Sequence, residues 1–325
     1  MRNFLKVLIS SAALCSPVLC ARPETVLVMT TGGKVVEGVT SLASITVDGR
    51  KVALSGVLSV HSGAPASASE AGRIQLGLAA IQAYKNEIIQ SPERKSRDAA
   101  VEDLTSIGLP VVTPLLRAFK DTDQHEPRPL YRLFERLIPS EADQLDREAS
   151  LVRLADGGFL RGKVEAFMLE VGGRKMEWAS IRRMAVRRKS VTRQVGVHSI
   201  QHCTQIEYLD TGVVLTAAST VASRAKGFIR MSWDTDGWAS NADGLQVPGP
   251  NYKTNLVDGH PFGALVGQVT AGGAPVMVGV AYNGKGLGAG GWHLGINDNR
   301  HWQNNVGTFR VTLTATDAYD VGAAQ

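Results

Sequence analysis

A short polar loop near the C-terminus contains the residues best suited to chemistry. Within nine residues, 297–305, it offers one carboxylate, several side-chain amides and two aromatic rings, and strand-like runs flank it at 292–296 and 307–313. Carboxylate and amide oxygens are hard donors, which is the ligand chemistry of Ca²⁺ rather than of zinc or copper. The Trp and His rings supply flat apolar faces that stack on sugars. The loop therefore predicts a calcium-dependent carbohydrate site.

The elements that must position this loop belong to a globular chain. Its 325 residues are 44% hydrophobic and 20% charged, which excludes disorder and allows two or three domains. The net charge is +5, and basic residues cluster at 182–183 and 187–189. No aromatic residues interleave these clusters and no nucleic-acid motif accompanies them. We therefore interpret the clusters as a solvated strand edge and expect no nucleic-acid partner.

Residues 1–21 have the pattern of a secretory signal peptide. Arg2 and Lys6 precede an apolar run over residues 7–19, and Ala21 lies at a suitable cleavage point. The run is too short for a transmembrane helix. We therefore expect a secreted or periplasmic protein that is not an integral membrane protein. Cys20 leaves the question of a lipid anchor open.

A small β unit occurs twice in the sequence. Residues 31–35, TGGKV, correspond to residues 156–160, DGGFL, and residues 47–52, VDGRKV, correspond to residues 171–176, VGGRKM. The Asp-Gly step of the first copy is a strong hairpin signal. Two meanders of this size cannot easily bury a core separately, so we expect them to pair into one barrel or sandwich.

The segment between the two copies is predicted to be helical. Apolar residues recur at helical spacing from Ile74 to Ile88, and a second stripe contains Val101, Leu104 and Ile107. Residues 70–140 loosely resemble HEAT-type helical hairpins. Both stripes are interpreted as core, because no residue pattern in them indicates a cofactor.

Residues 227–316 resemble the LecA-type galactose-binding bacterial lectins. The resemblance is carried by residues 237–240, GWAS, residues 262–266, FGALV, residues 296–298, IND, and residues 304–311, NNVGTFRV. It implies a β-sandwich of the galactose-binding-domain-like, or jelly-roll, kind. It also implies a Ca²⁺ ion at one end of the sandwich, with two sugar hydroxyls completing the metal shell. The implied metal ligands are the carboxylate of Asp298, the side-chain amides of Asn304 and Asn305, the main-chain carbonyl of Asn241 and a main-chain carbonyl at Trp302 or His301.

The sugar-selecting loop departs from the lectin pattern. In that family the loop precedes the strand that contains the Gly-Ala-Leu-Val run, and here it covers residues 244–261 with an unrelated sequence. The resemblance therefore does not decide whether the ligand is galactose-like. Simple turn chemistry is the alternative for the Asp and Asn residues, because both types tolerate left-handed backbone. The candidate ligand-binding residues are Asp298, Asn305, Trp302, His301, His260 and Tyr252.

The sequence as a whole predicts a mainly β protein with an α-helical insertion, an N-terminal duplicated β meander and a C-terminal β-sandwich. Its predicted function is calcium-dependent glycan recognition by a secreted, non-enzymatic, lectin-like protein, although residues 22–226 leave an enzyme open. The alternative is an envelope interaction protein, with an envelope partner or a homo-oligomer, in which the sandwich is a protein-binding scaffold. The predicted parts are a signal peptide (1–21), the first β unit (22–62), a HEAT-like insertion (63–148), the second β unit with a linker (149–226), the sandwich (227–316) and a tail (317–325).

Overall fold

The structure is a computed structural model, and most of its described residues are in antiparallel strands. No helix in this described part is long and apolar enough to cross a membrane. The predicted signal peptide at 1–21 lies outside it. The described residues are 23–63, 66, 68–83, 99–101, 103–104, 107, 109–111, 114–115, 149–199, 202–203, 208–231, 239–245, 257, 259–269, 273–298 and 305–322.

The duplicated β meander is confirmed. Each copy has two strands, a hairpin, a 3₁₀ turn and a final strand, in the same order. Both hairpins turn through two consecutive residues with positive φ, Asp48-Gly49 and Gly172-Gly173, as a type I′ turn requires. The first copy contains β1 (Glu24–Thr30), β2 (Val35–Thr40), β3 (Ser44–Val47), β4 (Arg50–Ala53) and β5 (Val57–His61), and the second contains β6 (Ser150–Leu154), β7 (Phe159–Gly162), β8 (Met168–Val171), β9 (Arg174–Glu177) and β10 (Ile181–His198).

The two copies exchange strands instead of folding side by side. β1 pairs with β10 and β6 pairs with β5, so the first strand of each copy lies against the last strand of the other. β5 and β10 pair with each other, with Val60 opposite Met184 near the centre of an approximate twofold arrangement. Neither copy closes its own sheet, and both contribute to one core. That core includes Val26, Val28, Ile45, Val57, Val152, Leu169, Trp178 and Ile181.

The hairpin of each copy also contacts the other copy. The Asp48 main-chain N donates to the Lys163 carbonyl at 3.0 Å, and the Asp48 carboxylate accepts from the Lys163 main-chain N at 2.8 Å. In the reciprocal contact, a Cβ placed on Gly38 would lie only 2.8 Å from the main-chain N of Gly172. A side chain at Gly38 would therefore push the two copies apart.

The helical insertion packs its predicted apolar stripe inward. The helix α1 (Ala68–Ala83) buries Ile74 and Leu78 against a second helical segment that contains Leu104. A buried ion pair fixes the helix to the β unit: Arg182 Nε donates to Glu70 Oε1 at 2.6 Å, and Arg182 Nη2 donates to Oε2 at 2.5 Å. The described residues do not support the HEAT-type resemblance. Ile88 lies outside them.

The basic cluster of β10 is not a solvated strand edge, so that interpretation is wrong. The Arg182 side chain is 3% exposed because it pairs with Glu70. Arg187 pairs with Asp317, and Arg188 donates to the carbonyl oxygen of Leu54 at 3.2 Å. These arginines hold neighbouring elements together.

The described residues of the predicted second β unit and linker (149–226) are mostly strand. β10 runs on into the sandwich, where residues 187–198 pair with the last strand. The predicted tail is likewise strand as far as Asp320. The sandwich strands that follow β10 are β11 (Leu209–Lys226), β12 (Ile229–Arg230), β13 (Ala239–Ser240), β14 (Leu265–Val269), β15 (Val276–Met277), β16 (Ala281–Lys285), β17 (Gly290–Ile296) and β18 (Val306–Asp320).

An irregularity in β11, between Leu215 and Thr220, separates two groups of sandwich strands. β11 pairs with β18 both before and after this irregularity. On its other side, the first part of β11 pairs with β17, which continues to β14 and β15, and the second part pairs with β16. Trp292 is fully buried in the core of the sandwich. The core also contains Val195, Val197, Leu265, Leu294, Ile296, Phe309, Val311 and Leu313.

A buried carboxylate joins the β unit to the sandwich. Asp320 Oδ1, at the end of β18, accepts from Arg153 at 2.7 Å, from Arg193 at 2.9 Å and from the main-chain N of Gly322 at 2.9 Å. Arg153 lies on β6 and Arg193 on β10, so one side chain connects three strands. Nearby, burial and then the charges of Arg183, Arg153 and Arg193 lower the pKa of His61 well below its usual value. His61 is therefore neutral at this junction.

We expect Gly38→Ala to lower the free energy of unfolding by about 1–3 kcal/mol, because the new methyl group meets the backbone of the other copy. Gly56→Ala is the matched control. A Cβ at Gly56 meets nothing within 4 Å, and the change should stay within about 0.5 kcal/mol. Urea unfolding of both variants measures the difference. Equal stabilities would contradict the close contact between the copies.

Asp320→Asn should lower the free energy of unfolding by about 3–5 kcal/mol, because it leaves two arginines without their buried carboxylate. Asp317→Asn, on the same strand, is the control: the Asp317 and Arg187 side chains are 41% and 29% exposed, so the loss should be below about 1 kcal/mol. Thermal and urea unfolding test both variants. Equal losses of unfolding free energy in the two variants would contradict the role of the Asp320 charge at this junction.

Candidate functional site

Two of the predicted site residues meet at one end of the sandwich. Asp298 follows β17, and Asn305 precedes β18. The Asn305 side-chain N donates to the Asp298 carboxylate and, at 3.1 Å, to the main-chain carbonyl of Ser199, which follows β10. Asp298 and Asn305 are each 1% exposed. The sandwich therefore brings a carboxylate and an amide from separate strands together in its interior.

Two buried side-chain oxygens of the residues that meet here have no hydrogen-bond partner among the described residues. They are Asn305 Oδ1 and Ser199 Oγ. A buried acceptor left unsatisfied costs about 1–3 kcal/mol, so native structures rarely keep one without a reason. A carboxylate, an amide oxygen and a hydroxyl oxygen form an all-oxygen donor set of the kind that Ca²⁺ takes. Sequence reasoning missed Ser199, because a single Ser after a strand gives no local signal.

No cluster of three or more His, Cys, Asp or Glu side chains that could hold a metal occurs in the described part of the chain. Those residue types dominate zinc sites. The donor set at Asp298 is of a different kind, with one carboxylate and neutral oxygens.

Asn297 positions the neighbouring loop. Its side chain is fully buried, and Nδ2 donates to the carbonyls of His260 at 3.0 Å and Pro261 at 3.2 Å. Its own carbonyl accepts from the Gly263 main-chain N at 2.7 Å. One amide thus satisfies several backbone groups of the loop that precedes β14. The sequence places Asn297 in the polar loop and in the lectin resemblance, but nothing local indicates which loop its side chain contacts.

The structure places Asn241, a predicted metal ligand, in a turn. Its main-chain carbonyl accepts from Ser240 Oγ at 2.7 Å and from the Gly244 main-chain N at 3.1 Å. A carbonyl oxygen has two lone pairs, and both already have donors. The side-chain oxygen of Asn241 accepts from the Asp243 main-chain N at 2.9 Å, so Asn241 acts as a turn residue.

The predicted contacts of Asp298 and Asn305 with a sugar stay a prediction. At 1% exposure neither side chain offers a surface to a ligand. His260 is half-buried, and its carbonyl accepts from Asn297. Four further predicted residues lie outside the described part of the chain: Tyr252, His301, Trp302 and Asn304.

An exposed apolar surface lies beside the site. The Phe228 side chain is 72% exposed and that of Val306 is 56% exposed. Val306 follows Asn305, and β12, which begins directly after Phe228, pairs with Val306 and Gly307. The sequence did not single out Phe228, because an exposed ring at a strand end resembles a core residue in the linear pattern.

Comparison with known proteins gives little. No protein family and no curated protein matches the sequence. A solved structure titled "EclA N-terminal domain; PllA-like lectin" is similar over 38% of this chain and 96% of its own length, with 20% sequence identity and a TM-score of 0.30. A TM-score this low does not establish a common fold.

Asn297→Asp replaces the buried amide donor with a carboxylate that faces several carbonyl oxygens. We expect the free energy of unfolding to fall by about 3–5 kcal/mol at pH 7. The new carboxyl group has a folded-state pKa above its unfolded value, so stability should recover as the pH falls towards 4.5 and the group protonates. Asn241→Asp, at an exposed turn, is the isosteric control. Urea unfolding at both pH values tests this, and a loss that does not depend on pH would contradict the donor role of Asn297.

Proposed function

We propose that Asp298, Asn305 and Ser199 hold a Ca²⁺ ion at the end of the sandwich and that the protein recognises glycans through that ion. The observation that supports this proposal most directly is the pair of buried oxygens without a partner, Asn305 Oδ1 and Ser199 Oγ, on residues that the Asn305 side-chain N links to the Asp298 carboxylate. A cation gives both oxygens a partner and removes the cost of leaving them unsatisfied.

Calcium suits this donor set better than other common metals. Its preferred ligands are six to eight oxygens in a flexible arrangement, whereas Mg²⁺ demands near-ideal octahedral geometry and zinc favours His and Cys. One carboxylate does not neutralise a divalent ion, so the bound ion keeps positive charge. Affinity for calcium should therefore be modest, and the ion can still attract neutral oxygens from a ligand. Trp302, His301 and Asn304 remain proposed contributors.

Burial changes the role that we propose for Asp298 and Asn305. A sugar hydroxyl would bind to the ion itself, and the two side chains would hold the ion from the interior. The exposed ring of Phe228 offers a flat apolar face beside the site for a sugar ring. Ca²⁺ supplies the polarising charge, while the protein residues orient the ion and exclude water behind it.

A protein-binding scaffold is the second candidate function. It is favoured by the adjacent exposed side chains of Phe228 and Val306, since exposed apolar groups that cluster often mark protein contacts. In that case calcium stabilises the sandwich end and no glycan binds. Export remains a proposal that rests on residues 1–21, and the absence of enzymatic activity stays a prediction.

The first experiment measures calcium binding by calorimetry and by thermal unfolding. At calcium concentrations 100 times the Kd, the free energy of unfolding should rise by about 2.7 kcal/mol, and Asp298→Asn should abolish this gain. Asp243→Asn is the control, because Asp243 Oδ1 accepts from the Val280 main-chain N at 2.8 Å and Asn keeps that acceptor. Ser199→Ala should leave the calcium-free protein nearly as stable, since its hydroxyl has no described partner, yet weaken calcium binding.

The second experiment probes a glycan array with calcium and then with chelator. Glycan binding that is lost in chelator, in Asp298→Asn and in Phe228→Ala supports the proposal. Calcium binding without glycan binding would instead favour the second candidate function, a protein-binding scaffold. If calcium neither raises the free energy of unfolding nor gives a heat of binding in calorimetry, the proposed metal site is wrong.

A further inference from the structure

The outer face of one sandwich layer carries an unusual set of side chains. We define this outer face as the outward positions of four paired strands: residues 190–196 of β10, 310–316 of β18, 220–226 of β11 and 281–285 of β16. Outward positions alternate with buried or half-buried positions along each strand. The outward side chains are Ser, Thr, Asn, Gln, Ala and Gly together with four cations, and no acidic or large aromatic side chain occurs among them.

The four cations are Arg224, Lys226, Lys285 and Arg310. All four are exposed, and none forms an ion pair with another described residue. Lys226 lies directly opposite Arg310 across neighbouring strands. Like charges at such positions repel each other. This face therefore has a positive electrostatic potential, because no acidic side chain among the described residues pairs with its four cations.

The surroundings of the cations are flat and rich in hydroxyl groups. Thr192 and Thr314 approach each other with hydroxyl oxygens 3.1 Å apart, and Thr220 and Thr316 with hydroxyl oxygens 2.7 Å apart. Strands lie about 4.8 Å apart, and outward positions repeat about every 6.8 Å along a strand. The outer face therefore spans about 14 by 20 Å, which is long enough for several sugar units.

We propose that the outer face binds an anionic polysaccharide, a chain whose sugar units bear carboxylate or sulfate groups. The cations attract the charged groups, and the threonine hydroxyls and side-chain amides hydrogen-bond to the sugar hydroxyls. Single-stranded nucleic acid fits less well, because its bases need aromatic rings for stacking and this face offers none. A duplex groove would need a protruding element, and a membrane surface would need apolar anchors.

The test uses the full protein in chelator, so that the proposed calcium site contributes nothing. Binding to dextran sulfate and to alginate is measured by calorimetry at several salt concentrations, with neutral dextran as the uncharged comparison. We expect binding to both anionic polymers, weakening with salt, and none to neutral dextran. The double variant Arg224→Gln/Arg310→Gln should weaken binding at least tenfold and flatten its salt dependence.

The matched control is Arg50→Gln/Lys51→Gln, which removes two exposed cations from β4 in the other part of the protein. It changes the net charge equally and should leave polymer binding within twofold. Equal weakening by both double variants would overturn the proposal, because net charge alone would then account for binding. The proposal also fails if the wild-type protein binds neither polymer. Tighter binding to single-stranded DNA or to phosphatidylserine vesicles, lost in the outer-face variant, would assign the surface to that partner instead.

Discussion

One strand, β10, contributes side chains to both hydrophobic cores: Ile181, Met184 and Val186 to the first and Val191, Val195 and Val197 to the second. β10 has 18 residues, and its buried peptide groups all need hydrogen-bond partners. Its first part obtains them from β1 and β5, and its second part from β18. Because the strand continues without a break, the β unit and the sandwich are joined by backbone hydrogen bonds. Asp320 reinforces this connection with two arginines, one on β6 and one on β10.

Strand exchange also explains how the chain accommodates a long insertion. β5 and β6 are antiparallel neighbours, with His61 opposite Leu151, so the insertion leaves and returns where a hairpin turn would otherwise stand. At that point the Gly63 main-chain N donates to Ser150 Oγ at 3.2 Å. Loop-closure entropy rises only slowly with loop length, and the packed helices of the insertion offset part of it. The Arg182–Glu70 pair then fixes the insertion against the strand that both cores share.

The candidate site depends on this architecture, because its three oxygens come from separate segments. Ser199 follows β10, Asp298 follows β17 and Asn305 precedes β18. β10 and β18 are hydrogen-bonded neighbours, whereas β11 lies between β17 and β18 in the sheet order. The site exists only when the layers are packed on the Trp292 core. The outer face belongs to the same sheet, but it needs only the register of its strands and is therefore physically independent of the interior site.

Features that depend on neighbouring residues could be predicted from the sequence. The Asp-Gly turn, the duplicated meander and the buried helical stripe follow from local backbone preference or from the period of apolar residues. The exchange between copies, the pairing of the β10 arginines and the partners of Ser199, Asn297 and Asn305 required the folded structure. These contacts join residues that are far apart in the chain. An Arg, Ser or Asn side chain can be either solvated or buried with the same local sequence around it. Which of the two occurs is set by strand register and layer packing, which no local pattern specifies.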